Sequence, residues 1–474
     1  MMNKTSFGAG LTIRLVSVVA VVSIAACSSE KFLAVTDPDV ARPTSLTGAA
    51  ALPTLRAGAI GDFGVAYNGQ NADVEQIHMS ALLSDEFINT ETFPTRIEID
   101  QRAMSLTNTS LNITFYDLNR ARASAERAVN VYREFAKSAG DSAGFPEVLA
   151  LNGLSYVLFA ENYCGAVPTS TQTETGENIF GAPLSTTQML DSAVSKANQA
   201  LAVPQAGVLT TAFKSLAQIV KGRALLDKGD FAGAKAAVAG VATTFQYNYT
   251  HSETSGRQNN GTWALTSSVG RFGVANLEGG VGLPYQSEGN VKAATFDVRV
   301  ADSLARRVSG GNVNTKGFDG TTDQWVQGKY PARASVVTIA DGVEARLIEA
   351  EATLKGGDAA GALQILNDLR GTAALLSLRG YAAGSLAPLT LQGTTTAQVD
   401  QVFKERAYWL FLTSHRLGDL RRLVRQYSRT VNSVFPNGPY FKGGLYGTDV
   451  NAPVPQSEQN NPNYTPGSCK QNEV

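Results

Sequence analysis

The sequence predicts a mostly α-helical fold in which helical hairpins build a platform and long irregular loops are inserted between them. Three observations carry that expectation. One phrase is written twice, "ALLDKGDFAGAKAAV" at 224–238 and "ATLKGGDAAGALQIL" at 352–366. Long stretches place apolar residues at helical spacing. Between them lie segments rich in Gly, Asn, Ser and Thr, where that spacing fades. With 43% apolar and 17% charged residues in 474, the chain has ample material for a core, and a single domain over 46–474 is expected. The net charge of −1 gives the chain as a whole no pull on polyanions, so nucleic acid is not an expected partner.

The first residues are read as a targeting segment. Lys4 and Arg14 precede an apolar run from Leu15 to Ala26, too short to span a bilayer but suited to the core of a signal peptide. The run ends in "IAAC", which resembles a bacterial lipobox. We therefore expect a signal peptide at 1–26, lipidation at Cys27 and a polar tether at 27–45, with the lipid as the membrane anchor. Of the three cysteines, Cys164 and Cys469 are left over, and in an exported chain they are expected to bond to each other.

From 46 to about 140 the pattern is mostly helical, and Ile113, Tyr116, Leu118, Ala121, Ala125, Ala128 and Val131 suggest one apolar stripe. "FPEVLALNGLSYVLFAENY" reads as a helix that stops before Gly165 and Pro168. Ser185 with Gln188, and Thr395 with Gln398, have the capping-box spacing that opens a helix. After the second, Val399, Phe403, Ala407, Leu410 and Phe411 form a stripe, and Trp409 reads as core. Residues 246–335 are loop-rich, with a short helix near 298–308, and 430–474 are again loop-like.

The doubled phrase has the character of a tetratricopeptide unit. A helix ends at Gly229 or Gly357, Asp230 or Asp358 caps the next, and alanines at 232, 234, 360 and 362 let two helices approach. The copies lie 128 positions apart instead of the usual 34 or so, so the hairpins are separated by inserts and do not form a simple solenoid.

Catalytic patterns are missing. His78, His251 and His415 share no metal-ligand spacing, and there is no H-E-x-x-H, Walker A, G-x-G-x-x-G or G-x-S-x-G sequence. No catalytic residue, metal or cofactor is assigned. Asp85 and Glu86 in "SDE" are the best local pair of acids, and are read as solvated charges on a helix C-terminal turn. "ERAYWLFLTSHRLGDLRR" at 405–422 is the densest charged stretch, and is read as two packed helices joined by arginine–carboxylate pairs.

That same stretch is similar to the C-terminal signature of SusD/RagB proteins, the surface lipoproteins of nutrient-uptake systems. Further similarities follow in order: "LNGLSYVLFAENYCGAVPTS" at 151–170, "DVRVAD" at 297–302 with Val298 in place of a proline, the helix pair at 346–370, and "PVPQSEQNNPNY" at 453–464. The resemblance implies a non-catalytic binding protein on the outer membrane. It would face the exterior, capture oligosaccharides or peptides, and deliver them to a TonB-dependent transporter of the SusC type. It carries over no binding residue. Sugar rings need exposed flat aromatics beside amides and hydroxyls, and the loop-rich region offers Tyr247, Tyr249, Trp263, Tyr285 and Trp325, with Asn259 and Asn260 as amide partners; the alternative for each ring is that it packs its loop onto the helical platform. The rival readings are a surface glycoside hydrolase, which needs two acids in a cleft, and a helical-repeat assembly lipoprotein of the periplasm.

Overall fold

The computed structural model describes residues 46, 48–69, 73–173, 177–204, 206–304, 307–309 and 312–474. The architecture belongs to one compact unit, Thr47–Val474. The expected signal peptide, Cys27 and the tether lie outside the described residues.

A row of helices forms the body. In chain order they are α1 (Leu52–Asn68), α2 (Gln76–Leu83), α3 (Pro94–Asp100), α4 (Thr109–Phe135), α5 (Phe145–Asn162), α6 (Thr186–Leu201), α7 (Thr211–Asp227), α8 (Phe231–Val238), α9 (Gly342–Lys355), α10 (Ala359–Gly371), α11 (Thr395–Trp409) and α12 (Arg416–Tyr427). Successive helices pack as neighbours, α4 on α5, α5 on α6, α6 on α7 and α7 on α8. The central α5 is buried along nearly its whole length. Helix α12 crosses behind, against α2 and α5.

The two copies of the repeated phrase are the hairpins α7–α8 and α9–α10. They turn as expected. Gly229 and Gly357 adopt φ of 81° and 93°, a left-handed conformation that suits glycine. Asp230 then accepts from the Gly233 N–H at 2.9 Å, and Asp358 from the Gly361 N–H at 2.7 Å. Although distant in sequence, the copies touch. Helix α8 packs on α9, Lys235 donates to the Thr353 hydroxyl at 2.9 Å, and Arg346 donates to the Val238 carbonyl at 3.0 Å. The repeat is thus a stacking element interrupted by an insert. Only half of the expected alanines serve the approach: Ala234 and Ala362 are buried, whereas Ala232 and Ala360 face solvent.

The insert is closed at its base by a two-stranded stem, with β2 (Gln246–Tyr249) antiparallel to β6 (Val337–Asp341). This pairing lets the chain leave after α8 and return to start α9 beside it. Within the insert, β3 (Phe272–Val274) pairs with β1 (Phe87–Asn89), and β5 (Trp325–Gln327) pairs with β4 (Asp302–Leu304). The helix expected near 298–308 is a single 3-10 turn, Val298–Val300, followed by β4. The turn is fixed by Arg299, held by Asp297 at 2.6 Å and by Glu405 of α11 at 2.6 Å.

Two helix readings need correction in phase. In α4 the buried face at its start is Leu111, Thr114, Phe115 and Leu118, while Ile113 and Tyr116 face solvent. The Thr114 hydroxyl donates to the Val74 carbonyl at 2.6 Å, which fixes this rotation. The Ser185–Gln188 capping box forms with both reciprocal bonds. The cap of α11, however, is Thr394, whose hydroxyl accepts from the Ala397 N–H at 3.2 Å, one residue before the expected Thr395.

Candidate functional site

Of the aromatic residues singled out in the loops, Tyr285 is buried and the other four are half-buried. Tyr285 is fully buried, stacked on Phe411 at 5.1 Å and tilted against Tyr408 at 5.5 Å, so it belongs to the core. Tyr247 is half-buried in the stem, and its hydroxyl donates to Glu147 at 2.7 Å. Tyr249, two residues on, lies so close over α1 that a Cβ at Gly64 would fall 1.9 Å from its ring. Trp263 is half-buried beneath the Arg333 guanidinium at 5.1 Å, and Trp325 is half-buried on β5 opposite Leu304. The two amides expected to serve a ligand are structural. Asn259 donates to the Ser252 and Ser255 carbonyls at 3.0 and 2.8 Å, and Asn260 caps the turn at Trp263 while donating to the Ser335 carbonyl at 3.0 Å.

A different set of rings reaches solvent together. Phe93, Phe318 and Phe441 are 43%, 41% and 45% exposed, values far above those of the core aromatics. Phe93 sits at the N-cap of α3, held extended by the following Pro94. Phe318 stands on the turn before Gly320, and Phe441 on the hairpin turn closed by Gly443 and Gly444 at φ 103° and 78°. One side chain ties the three loops together. The Lys442 ammonium donates to the Glu91 carbonyl at 2.6 Å, to Asp319 at 2.8 Å and to the Asn89 amide oxygen at 3.2 Å. These partners are close in sequence to Phe93, Phe318 and β1, and Lys442 itself follows Phe441. The Asp319 N–H adds a bond to the Thr90 carbonyl at 3.0 Å. Burial alone would raise the Asp319 carboxyl, but Lys442 and the Thr322 and Thr321 N–H groups outweigh it and hold the group down to about 2.

Between two of the rings lies Arg271, which leaves the turn just before β3. Its guanidinium carbon is 4.6 Å from the Phe93 ring centre and 4.4 Å from that of Phe318. Arg271 also pairs with Glu91, a fully buried carboxylate whose other oxygen takes Arg96 at 3.1 Å. The result is a rigid face of exposed rings around a stacked cation. Sequence reading missed it because a lone phenylalanine reads as core. The available signal was turn chemistry, since a proline or glycine lies within two residues of each ring.

The charged clusters elsewhere are architectural. Asp85 and Glu86 are fully buried, which corrects the expectation of solvated charges. Asp85 takes Arg416 in a two-pronged pair at 2.5 and 2.7 Å. Glu86 accepts from the Leu412 N–H at 2.9 Å, and burial pushes its carboxyl up to about 8, against that N–H. At 405–422, Arg406 forks onto Asp419 at 2.9 and 2.9 Å, as expected of two packed helices. His78 is buried at the start of α2, where its Nδ1 accepts from the Glu75 N–H at 3.0 Å. Among the described residues no group of three or more His, Cys, Asp or Glu side chains could hold a metal ion.

Glu86 has a measurable consequence. Its folded value lies above the ordinary carboxylate value, so the native state favours the protonated form. Its contribution to stability is full at low pH and is lost as pH rises from about 4.5 through about 8. Glu86→Gln keeps the acceptor for Leu412 and removes the titration. Relative to this variant, the wild type is expected to lose stability between pH 5 and pH 8, with a slope approaching about 1.4 kcal/mol per pH unit. Denaturant unfolding at both pH values checks this; parallel profiles for the two proteins would show that Glu86 is not the titrating group.

No family model matches the chain, and no curated protein matches it. Solved structures do. A SusD-like carbohydrate binding protein from Bacteroides fragilis NCTC 9343 aligns with TM-score 0.62 at 14% identity, over 88% of this chain and 99% of its own. A SusD superfamily protein from Parabacteroides distasonis ATCC 8503 aligns with TM-score 0.60 at 14% identity, over 88% and 98%. A SusD-like carbohydrate binding protein from Bacteroides vulgatus ATCC 8482 aligns with TM-score 0.55 at 14% identity, over 79% and 83%. At this identity the likeness speaks for architecture: the chain has the SusD fold.

Proposed function

We propose that this protein is a glycan-binding member of the SusD group that captures oligosaccharides on the Phe93–Phe318–Phe441 face and catalyses no reaction. Held by a lipid on Cys27 at the outer membrane and facing the exterior, it would deliver its ligand to a TonB-dependent transporter of the SusC type. The observation that carries the reading is the Lys442 tie. Three exposed rings on three separate loops are fixed by one side chain, so the face is shaped before any ligand arrives. Preorganisation of this kind reduces the ordering cost of binding. A pyranose presents an apolar C–H face that stacks on an aromatic ring and a rim of hydroxyls that hydrogen-bond beside it. Structures of the same fold that are named for carbohydrate binding support the choice of ligand class.

The test is calorimetric titration of the purified chain with a panel of soluble glycans. The double variant Phe93→Ala/Phe318→Ala should weaken binding of the best ligand at least roughly tenfold, since each ring–sugar stack is worth on the order of 1 kcal/mol. Its unfolding midpoint should move little, because exposed side chains contribute little to stability. Undiminished binding by the double variant would place the glycan elsewhere. Purification of the lipidated protein from its own membrane in mild detergent, with mass spectrometry of what accompanies it, tests the transporter.

A further inference from the structure

We infer that the glycan recognised at this face carries negative charge, as a uronic acid carboxylate or a sulfate ester, and that Arg271 is the residue that selects it. The inference rests on the glycan-binding reading and narrows it.

Neutral sugars present hydroxyls, and sites for them usually supply carboxylate or amide oxygens to accept from those hydroxyls. Here both oxygens of Glu91 and of Asp319, the carboxylates bonded to Arg271 and Lys442, are already committed. Glu91 is fully buried, with one oxygen on Arg96 and the other on Arg271. One oxygen of Asp319 accepts from the Thr321 and Thr322 N–H groups, both at 2.9 Å. Its other oxygen takes Lys442 at 2.8 Å and the Thr322 hydroxyl at 2.7 Å. Asp323, further along the same loop, pairs with Lys316. Lys442 has given its three donors to the loops it ties.

Arg271 brings a cation to the surface of this face. One terminal nitrogen goes to Glu91, and its Nε is buried without an acceptor. Its side chain is 14% exposed, whereas the side chain of Glu91 beneath it is 0% exposed, so a ligand meets the cation and not its counter-charge. Sharing Glu91 with Arg96 leaves the guanidinium incompletely neutralised. The rings of Phe93 and Phe318, 4.6 and 4.4 Å from its guanidinium carbon, pack against it and shield part of it from water. A fixed, partly desolvated guanidinium favours an anionic oxygen over a hydroxyl. Because the chain as a whole is near neutral, the preference is a contact effect and not long-range attraction.

The probes are polygalacturonate for carboxylates, chondroitin sulfate for sulfates, and dextran and xylan for neutral chains, titrated into the purified protein. The expected result is binding of at least one acidic polymer roughly tenfold or more tighter than either neutral one, weakening as salt is added. Which acidic polymer wins separates carboxylate from sulfate recognition. Arg271→Gln should erase the preference. Arg271→Lys, which keeps the charge but not the planar stack, should retain part of it and guards against a folding artefact in the Gln variant. Phe93→Ala/Phe318→Ala should weaken binding of every ligand. If neutral chains bind as tightly as acidic ones and Arg271→Gln changes nothing, the inference is overturned while the glycan-binding reading stands. If neither class binds the folded protein, both fall.

Discussion

Replacing Arg422 by Met is expected to destabilise the protein by about 3–5 kcal/mol, the range for removing one partner from a buried ionic network. Arg422 is 1% exposed and joins three helices through three acids: Asp227 of α7 at 2.9 Å, Glu351 of α9 at 3.0 Å and Asp419 of α12 at 2.8 Å. The loss should not fall evenly. Asp419 keeps its fork to Arg406, and Glu351 keeps a contact to Arg406 at 3.3 Å. Asp227 loses the partner that most strongly opposes the cost of its burial and holds its carboxyl low. In the wild type that depressed group contributes stability above the ordinary carboxylate value and loses it on acidification. In the variant, a buried carboxylate without its arginine has a raised value, so stability falls as pH rises. The deficit of Arg422→Met is therefore expected to be larger at pH 8 than at pH 5. Adding Asp227→Asn should recover at least about 1 kcal/mol, a coupling a double-mutant cycle reads directly. A loss below about 1 kcal/mol at neutral pH would mean the network is far better hydrated than its burial indicates.

Some of this architecture was legible because its chemistry is local. The turns at Gly229–Asp230 and Gly357–Asp358 declare themselves within a few residues, through a left-handed glycine followed by a capping carboxylate. The pairing of arginines and acids at 405–422 was legible for the same reason, since Arg406 and Asp419 lie on consecutive helices. What could not be read was which distant acids complete the network. Asp85, Asp227 and Glu351 come from three other helices or their ends, and nothing in "SDE" distinguishes a buried pair from a solvated turn.

The candidate face failed to show for a related physical reason. It is assembled from loops around 89–93, 271, 318–319 and 441–442, whose convergence depends on the β1–β3 pairing and on the Lys442 tie. Aromatic identity was a poor guide to exposure. Tyr285 looked like a loop residue and is core because its short helix docks on Phe411, whereas Phe93 and Phe441, which drew no notice in the sequence, face solvent. The Gly-rich composition of the insert correctly marked where helices stop. It did not indicate that β2 and β6 close the insert at its base and so bring the repeated hairpins together.

The bond between Cys164 and Cys469 sets up the second large expected effect. The two lie 305 residues apart in sequence with Cα atoms at 5.3 Å, and Cys164 is buried just past the end of α5. Closing so long a loop restricts the unfolded chain, so reduction, or Cys164→Ala/Cys469→Ala, is expected to lower stability by about 2–4 kcal/mol. The native state has other means of holding the tail. The Cys164 N–H donates to the Ala452 carbonyl at 2.9 Å, Val450 donates to the Gln471 carbonyl at 2.8 Å, and the Asn451 amide donates to the Glu473 carbonyl at 2.7 Å. The tail should therefore stay docked when the bond is absent, and affinity at the phenylalanine face, on other loops, should be unchanged. The distinguishing signature is in the unfolded state. Without the cross-link it expands and exposes more surface, so the denaturant slope should steepen as the midpoint falls. Unfolding curves of the oxidised protein, the reduced protein and the double variant, with ligand affinity measured on each, separate the two effects. A lower midpoint with an unchanged slope would assign the stabilisation to native contacts of the tail, and a loss of affinity would show that the bond also shapes the binding face.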